Sequence, residues 1–243
     1  MRNLKHISIA LALVVSCGMS AQLFQEGKTS TGTQLDLQTF QNSELTTMQL
    51  TEPGEVDGDP LLFDKYMPAE IIFVGTDQKP INMYLNYNVY ANLMKMLSDE
   101  ENKDEVRMLP RASNFDILID NKRFRYIDFK VDGSYIESYV EILDSYENGD
   151  LLVLHRTKEI QKAVSNGSSY ALTTNDRYKS DDAFYYIKSD GTAIEMENHK
   201  RRITNNLSSK AEDMVKDYIK EKNVKFEDDL KGLKGVARYY NSI

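Results

Sequence analysis

Short reversals at close intervals constrain this chain more than any other feature. Asp120-Asn121, Asp132-Gly133, Asn148-Gly149-Asp150 and Asp190-Gly191 each supply residues that tolerate the positive φ of a tight turn. Such connections join antiparallel neighbours, because a parallel pair needs a crossover of about a dozen residues or more. Between and around these turns, apolar or alternating runs mark strands at 70–74, 82–90, 92–97, 115–119, 123–129, 135–143, 151–157, 183–188 and 193–196. The expected fold is α+β, mainly β: an antiparallel β-meander, either an open curved sheet or a partial barrel, over a β-rich domain at 61–206.

The period changes near the C-terminus. Ser209 and Glu212 match a capping box, and Ala211, Met214, Val215, Tyr218 and Ile219 follow at helical spacing, with Asn223 placed as a stop. Beyond an extended piece at 224–226, Leu230, Leu233, Val236, Ala237 and Tyr240 predict a second helix. Gly232 and Gly235 should weaken it by about 1 kcal/mol each relative to Ala. Residues 207–243 are therefore expected to form a helical hairpin that needs the β domain to hold it.

The first 21 residues read as an export signal: Arg2 and Lys5, an apolar run at 7–15 too short to span a bilayer, and small residues at 17–21. Cleavage after Ala21 leaves Gln22 first. Alternatively, Val14-Val15-Ser16-Cys17 matches a bacterial lipobox, in which 1–16 is removed and Cys17 carries the lipid. Both routes predict an exported protein, periplasmic or associated with the outer membrane. Cys17 is the single cysteine, so no disulfide is available and packing must stabilise the body. Residues 22–60, polar and without a sustained period, are expected to be a largely disordered leader. The stretch 164–182, which contains Ser165-Asn166-Gly167-Ser168-Ser169, is expected to be a mobile loop.

Charge and composition narrow the chemistry. A chain of 243 residues, 41% apolar and 28% charged, can bury one good core. Its formal charge is −8, and loss of Arg2 and Lys5 with the signal leaves 28 basic residues against 38 acidic ones. No nucleic-acid partner is expected for such a surface, and the membrane is reached only through a lipid on Cys17. The one dense basic run, His199-Lys200-Arg201-Arg202, reads as a solvated face. No metal or cofactor is expected, since His155 and His199 lack ligand spacing and no phosphate-cradling glycine loop or nucleophile elbow is present. His155 shares a strand face with Leu151 and Val153 and reads as a sheet histidine. The acidic stretch 55–59 resembles a calcium loop, but Pro60 interrupts it. Glu137 and Glu141 share a strand face, within reach of Asp116 or Asp128 from a neighbour, the arrangement that an envelope-polymer hydrolase needs. The ordinary reading of these acids is solvent exposure.

The aromatic pattern at 82–90 is more informative. Alternation puts Met83, Leu85, Tyr87 and Val89 on a core face and Tyr84, Asn86, Asn88 and Tyr90 on the other. That second face combines aromatic area with amide groups suited to a protein or glycan partner. Met83-Tyr84-Leu85-Asn86-Tyr87-Asn88 and the ending Ala237-Arg238-Tyr239-Tyr240-Asn241-Ser242-Ile243 resemble a group of exported, uncharacterised bacterial proteins. The group has a Tyr-Asn strand, a β-rich middle and a C-terminal helical segment closing on Tyr-Tyr-Asn. The resemblance spans residues 61–243 and implies an architecture and no catalytic residues. The expected function is that of a non-enzymatic cell-envelope protein acting by binding or structural association. The alternatives are the hydrolase and a small apolar-ligand carrier built on a closed barrel.

Overall fold

The computed structural model describes residues 56–97, 106–163 and 175–243. The export signal, Cys17 and the leader up to residue 55 lie outside the described residues, as does 164–174 of the expected loop. Eleven strands are formed among the described residues: β1 (Val56–Asp57), β2 (Met67–Phe73), β3 (Ile81–Asn88), β4 (Leu93–Leu97), β5 (Val106–Met108), β6 (Phe115–Ile119), β7 (Lys122–Val131), β8 (Ser134–Ser145), β9 (Leu151–Gln161), β10 (Asp176–Ile187) and β11 (Ala193–Glu195). Two helices follow, α1 (Ser209–Glu221) and α2 (Lys231–Asn241).

The strands make one open, largely antiparallel sheet in the order β1-β10-β9-β8-β7-β6-β2-β3-β4-β5, with β11 paired to β10. The mainly β fold expected from the turns is the one observed, in its open form. Asp120 and Asn121, both at positive φ, join β6 to β7 in a two-residue hairpin, and Asp132-Gly133 does the same between β7 and β8. β1 alone runs parallel to its neighbour in the ladder, pairing Val56 with Asp176 and Asp57 with Arg177. Two expectations change here. The folded body reaches back past Leu61, because Lys158 Nζ donates to the carbonyls of Asp59 and Leu61 at 2.7 and 2.9 Å and Leu61 bridges Asn88. Residues 176–182, expected as loop, extend β10, and 177–182 pair with 156–161 of β9. That extension is polar on both faces, so it lacks the apolar alternation that marks a strand. Cross-strand pairs hold it instead: Arg156–Asp182 at 2.9 Å and Lys179–Glu159 at 3.4 Å.

β9 is buried on both faces. Leu152 and Val153 are each 0% exposed and point in opposite directions. Val153 meets Phe129, Val140, Tyr185 and Ile187. Leu152 joins Tyr186 of β10 under Val215 and Ile219 of α1 and Leu233 and Val236 of α2. A sheet with two apolar faces must be covered twice, and the helical hairpin supplies one cover.

The helices also revise the expected caps. Ser208, not Ser209, is the N-cap of α1, its Oγ accepting from the Ala211 N–H at 3.4 Å, while Glu212 turns to Lys216. The Tyr-Tyr-Asn ending clasps the hairpin to the sheet. Tyr239 stacks on Tyr218 at 4.3 Å, Tyr240 meets Tyr186 edge-on at 5.0 Å, and Asn241 Oδ1 lies 2.7 Å from Tyr186 Oη. Tyr186 Oη is also 2.6 Å from Asp150 Oδ2, and Asn148 Nδ2 donates to Asn241 Oδ1 at 2.8 Å. The turn of β8 and β9 is thereby tied to the end of α2.

Gly232 is required rather than merely tolerated. A Cβ there would run into the carbonyl oxygen of Lys225, where the segment between the helices crosses α2. At Gly235 the nearest atom to a Cβ is Tyr218 Oη, at an ordinary 3.8 Å. Gly232→Ala should therefore cost about 2–4 kcal/mol by displacing that crossing, whereas Gly235→Ala should gain up to about 1 kcal/mol from helix propensity. Urea unfolding of the two variants separates a steric role from a propensity effect, and equal effects would contradict it.

Candidate functional site

Burial along β3 does not alternate as expected: residues 85–88 are all buried, and Met83, expected on the core face, is half-buried and lines a groove. Leu85, Tyr87 and Val89 are buried, and the Tyr87 ring packs on Phe124 and Tyr139 at 5.9 Å each. Asn86, expected to face a partner, is 0% exposed. Its Nδ2 donates to the carbonyls of Phe63 and Lys65 at 2.8 and 3.1 Å, and its Oδ1 accepts from the Phe63 N–H at 3.3 Å. Asn88 is buried too and accepts from the Ala91 N–H at 2.9 Å. Both amides satisfy backbone that crosses or turns beside β3, a demand that strand periodicity does not reveal. Tyr90, 41% exposed, lies past the end of β3 and meets Tyr178 of β10 edge-on at 5.3 Å. Tyr84 is half-buried. The four residues do not gather into one patch, and Tyr84 and Tyr90 are the two that reach solvent.

Tyr84 lines a groove of about 690 Å³ on the outer face of the sheet. Register explains its walls. Tyr84 of β3 sits between Pro68 of β2 and Leu97 of β4, and in the next row Glu70 of β2 sits between Asn82 of β3 and Leu118 of β6. The Asp120-Asn121 turn closes one end. Of these walls only Tyr84 stood out in the sequence; Asn82 and Met83 share its strand, and the rest come from three other strands and a hairpin turn.

The carboxylates singled out by sequence are engaged elsewhere. Asp116 is 1% exposed and shared by two guanidiniums: Arg123 grips it through Nε at 2.7 Å and through Nη2, and Arg125 through Nε at 2.6 Å. Glu141, also buried, pairs with Lys122 at 3.4 Å and Arg156 at 2.8 Å, and Arg156 reaches on to Asp182. Arg123 and Arg125 project from β7 opposite to Phe124, whose ladder partner is Glu141, so Asp116 and Glu141 occupy opposite faces of the sheet. Glu137 is exposed and stands beside Asp128, its register partner. In the acidic stretch, Asp59 Oδ1 accepts from the Leu61 N–H at 2.7 Å and Asp57 Oδ1 from Asn175 Nδ2 at 3.3 Å. Among the described residues no group of three His, Cys, Asp or Glu side chains is close enough to hold a metal ion.

A residue that the sequence reading passed over holds the two halves of the sheet together. Asn92, at φ 51° in the turn after β3, accepts through Oδ1 from Tyr87 Oη, Ser138 Oγ and the Tyr139 N–H, each at 3.1 Å. Its Nδ2 donates to the Glu137 carbonyl at 3.2 Å. Burial pushes the Tyr87 hydroxyl up to about 12, so it remains a donor here. Residue 92 was expected to open the strand 92–97; it stands instead in the turn before Leu93, where an Asn suits left-handed backbone.

Comparison with family models, with curated proteins and with solved structures returns no match to this chain.

His155 lies beside Phe129 and Tyr185, with ring centroids 6.0 and 6.2 Å away. Burial lowers its pKa below the ordinary 6.5, with Asp182 partly opposing. Above pH 6.5 the ring is neutral in both the folded and the unfolded chain. As pH falls through that value the unfolded chain takes the proton first, so stability declines until the lowered native value is reached and then levels off. His155→Phe should remove this component: urea midpoints at about pH 7.5 and about pH 5.5 should lie closer together in the variant than in the parent. An identical spacing would contradict the assignment.

Proposed function

We propose that this chain is a non-enzymatic, exported protein of the bacterial cell envelope that acts by binding or structural association. The supporting observation is the groove at Tyr84, an accessible concavity with an aromatic side chain in its wall. Two further facts favour this reading over paired-carboxylate hydrolysis. The buried acids Asp116 and Glu141 are neutralised by Arg and Lys partners, and they lie on opposite faces of the sheet. Export rests on Arg2, Lys5 and the short apolar run that follows, with Cys17 as the residue that carries a lipid if the lipobox is used. The partner is a protein or glycan of the envelope.

Tyr84→Ala and Tyr90→Ala test where the partner sits. Capture of envelope components from the native host, read by cross-linking and mass spectrometry, should fall with Tyr84→Ala while the free energy of unfolding stays within about 1 kcal/mol of the parent. Tyr90 packs on Tyr178 away from the groove, so its loss should have the smaller effect. Unchanged capture in both variants would count against this face.

A further inference from the structure

The chemistry of the groove narrows the ligand class, an inference that rests on the reading of that face as a binding surface. We propose that the groove takes a short, uncharged oligosaccharide. Its volume of about 690 Å³ falls within the roughly 300–1,000 Å³ of small-ligand sites. The lining alternates two kinds of group. Asn82 and Asn121 offer amides that both donate and accept, and Glu70 and Asp120 offer carboxylates that accept from paired donors. Tyr84 supplies aromatic area, and Pro68, Ala69, Met83, Leu97 and Leu118 add aliphatic area around it. A sugar ring presents the complement: adjacent hydroxyls that donate and accept at its edge, and C–H groups on its flat face that pack against an aromatic ring.

Charge and topology exclude the competitors. No cationic side chain lines the groove. Arg123, next to Leu118 in register, is held by Asp116, and Lys122 by Glu141. Glu70 and Asp120 are in no ion pair among the described residues. A polyanion would therefore face two carboxylates with no compensating charge. An extended peptide gains its affinity chiefly by adding to a free sheet edge. Here β2 is already paired to β3 and β6, and β3 to β2 and β4, so no backbone is free within the groove. Recognition must come from side chains, and the side chains present suit hydroxyl groups.

Titration calorimetry of the full chain with cellotetraose, chitotetraose, mannotetraose and tetragalacturonate tests this. At least one uncharged tetrasaccharide should bind and tetragalacturonate should not. Tyr84→Ala should weaken the binding about tenfold or more, and Tyr84→Phe, which keeps the ring, by no more than about threefold. Asn82 is exposed, so Asn82→Ala probes the same groove without endangering the fold and should also weaken binding about tenfold. Binding by none of the uncharged probes, binding by tetragalacturonate alone, or an affinity unchanged in both Tyr84→Ala and Asn82→Ala would overturn the proposal. Loss of envelope capture in Tyr84→Ala without saccharide binding would remove the sugar and leave the binding surface standing. Unaltered capture together with no saccharide binding would remove both.

Discussion

The carboxamide of Asn92 is the interaction on which the rest of the architecture turns. The strands β2, β3 and β4 carry a buried inner face, and Tyr87 brings that face against Phe124 and Tyr139 of the long central strands. Aromatic contact is tolerant of small shifts. Four hydrogen bonds from one side chain are not, and those of Asn92 satisfy a tyrosine hydroxyl, a serine hydroxyl, a backbone N–H and a backbone carbonyl together. Leaving such groups unpaired away from water costs more than forming them gains. The groove at Tyr84 lies on the outer side of the same strands, so its shape is inherited from this fastening on the inner side.

A second demand arises further along the sheet. β9 has no solvent-facing side at Leu152 and Val153, and with no disulfide available both sides must be packed. The helical hairpin covers the Leu152 side: Tyr239 on Tyr218 joins its two helices, and Tyr240 on Tyr186 with Asn241 beside the Tyr186 hydroxyl holds it to the sheet. The terminal Tyr-Tyr-Asn motif thus has a structural meaning, as the clasp between helix and sheet. Gly232 belongs to the same economy of space, since the chain entering α2 crosses directly over it.

Some of this was legible in the sequence and some was not, for physical reasons. Turn chemistry is local, so Asp120-Asn121 and Asp132-Gly133 correctly announced antiparallel hairpins. Strand 115–119 was legible as a short apolar run, although its buried Asp116 was not, and the apolar positions of both helices were legible because burial there follows a simple period. The extension of β10 over 176–182 was not, because charged partners on β9 replace apolar burial. The role of Asn86 was equally hidden. Its partners at Phe63 and Lys65 are more than twenty positions away, and nothing in the alternation of β3 distinguishes an amide that faces a ligand from one that holds a crossing segment. The groove was half legible: Tyr84 stood out, but Glu70, Leu118 and Asp120 are brought beside it only by the order β6-β2-β3.

The proposed binding face lies on the outer side of a half-sheet whose position depends on Asn92. The most direct test is urea unfolding of Asn92→Gly, which removes the carboxamide yet accepts the φ of 51° at this position. A loss of about 2–4 kcal/mol is predicted, because the hydroxyls of Tyr87 and Ser138 and the amide of Tyr139 lose their shared acceptor. A loss of less than about 0.5 kcal/mol would contradict the claim that this side chain fastens the two halves of the sheet.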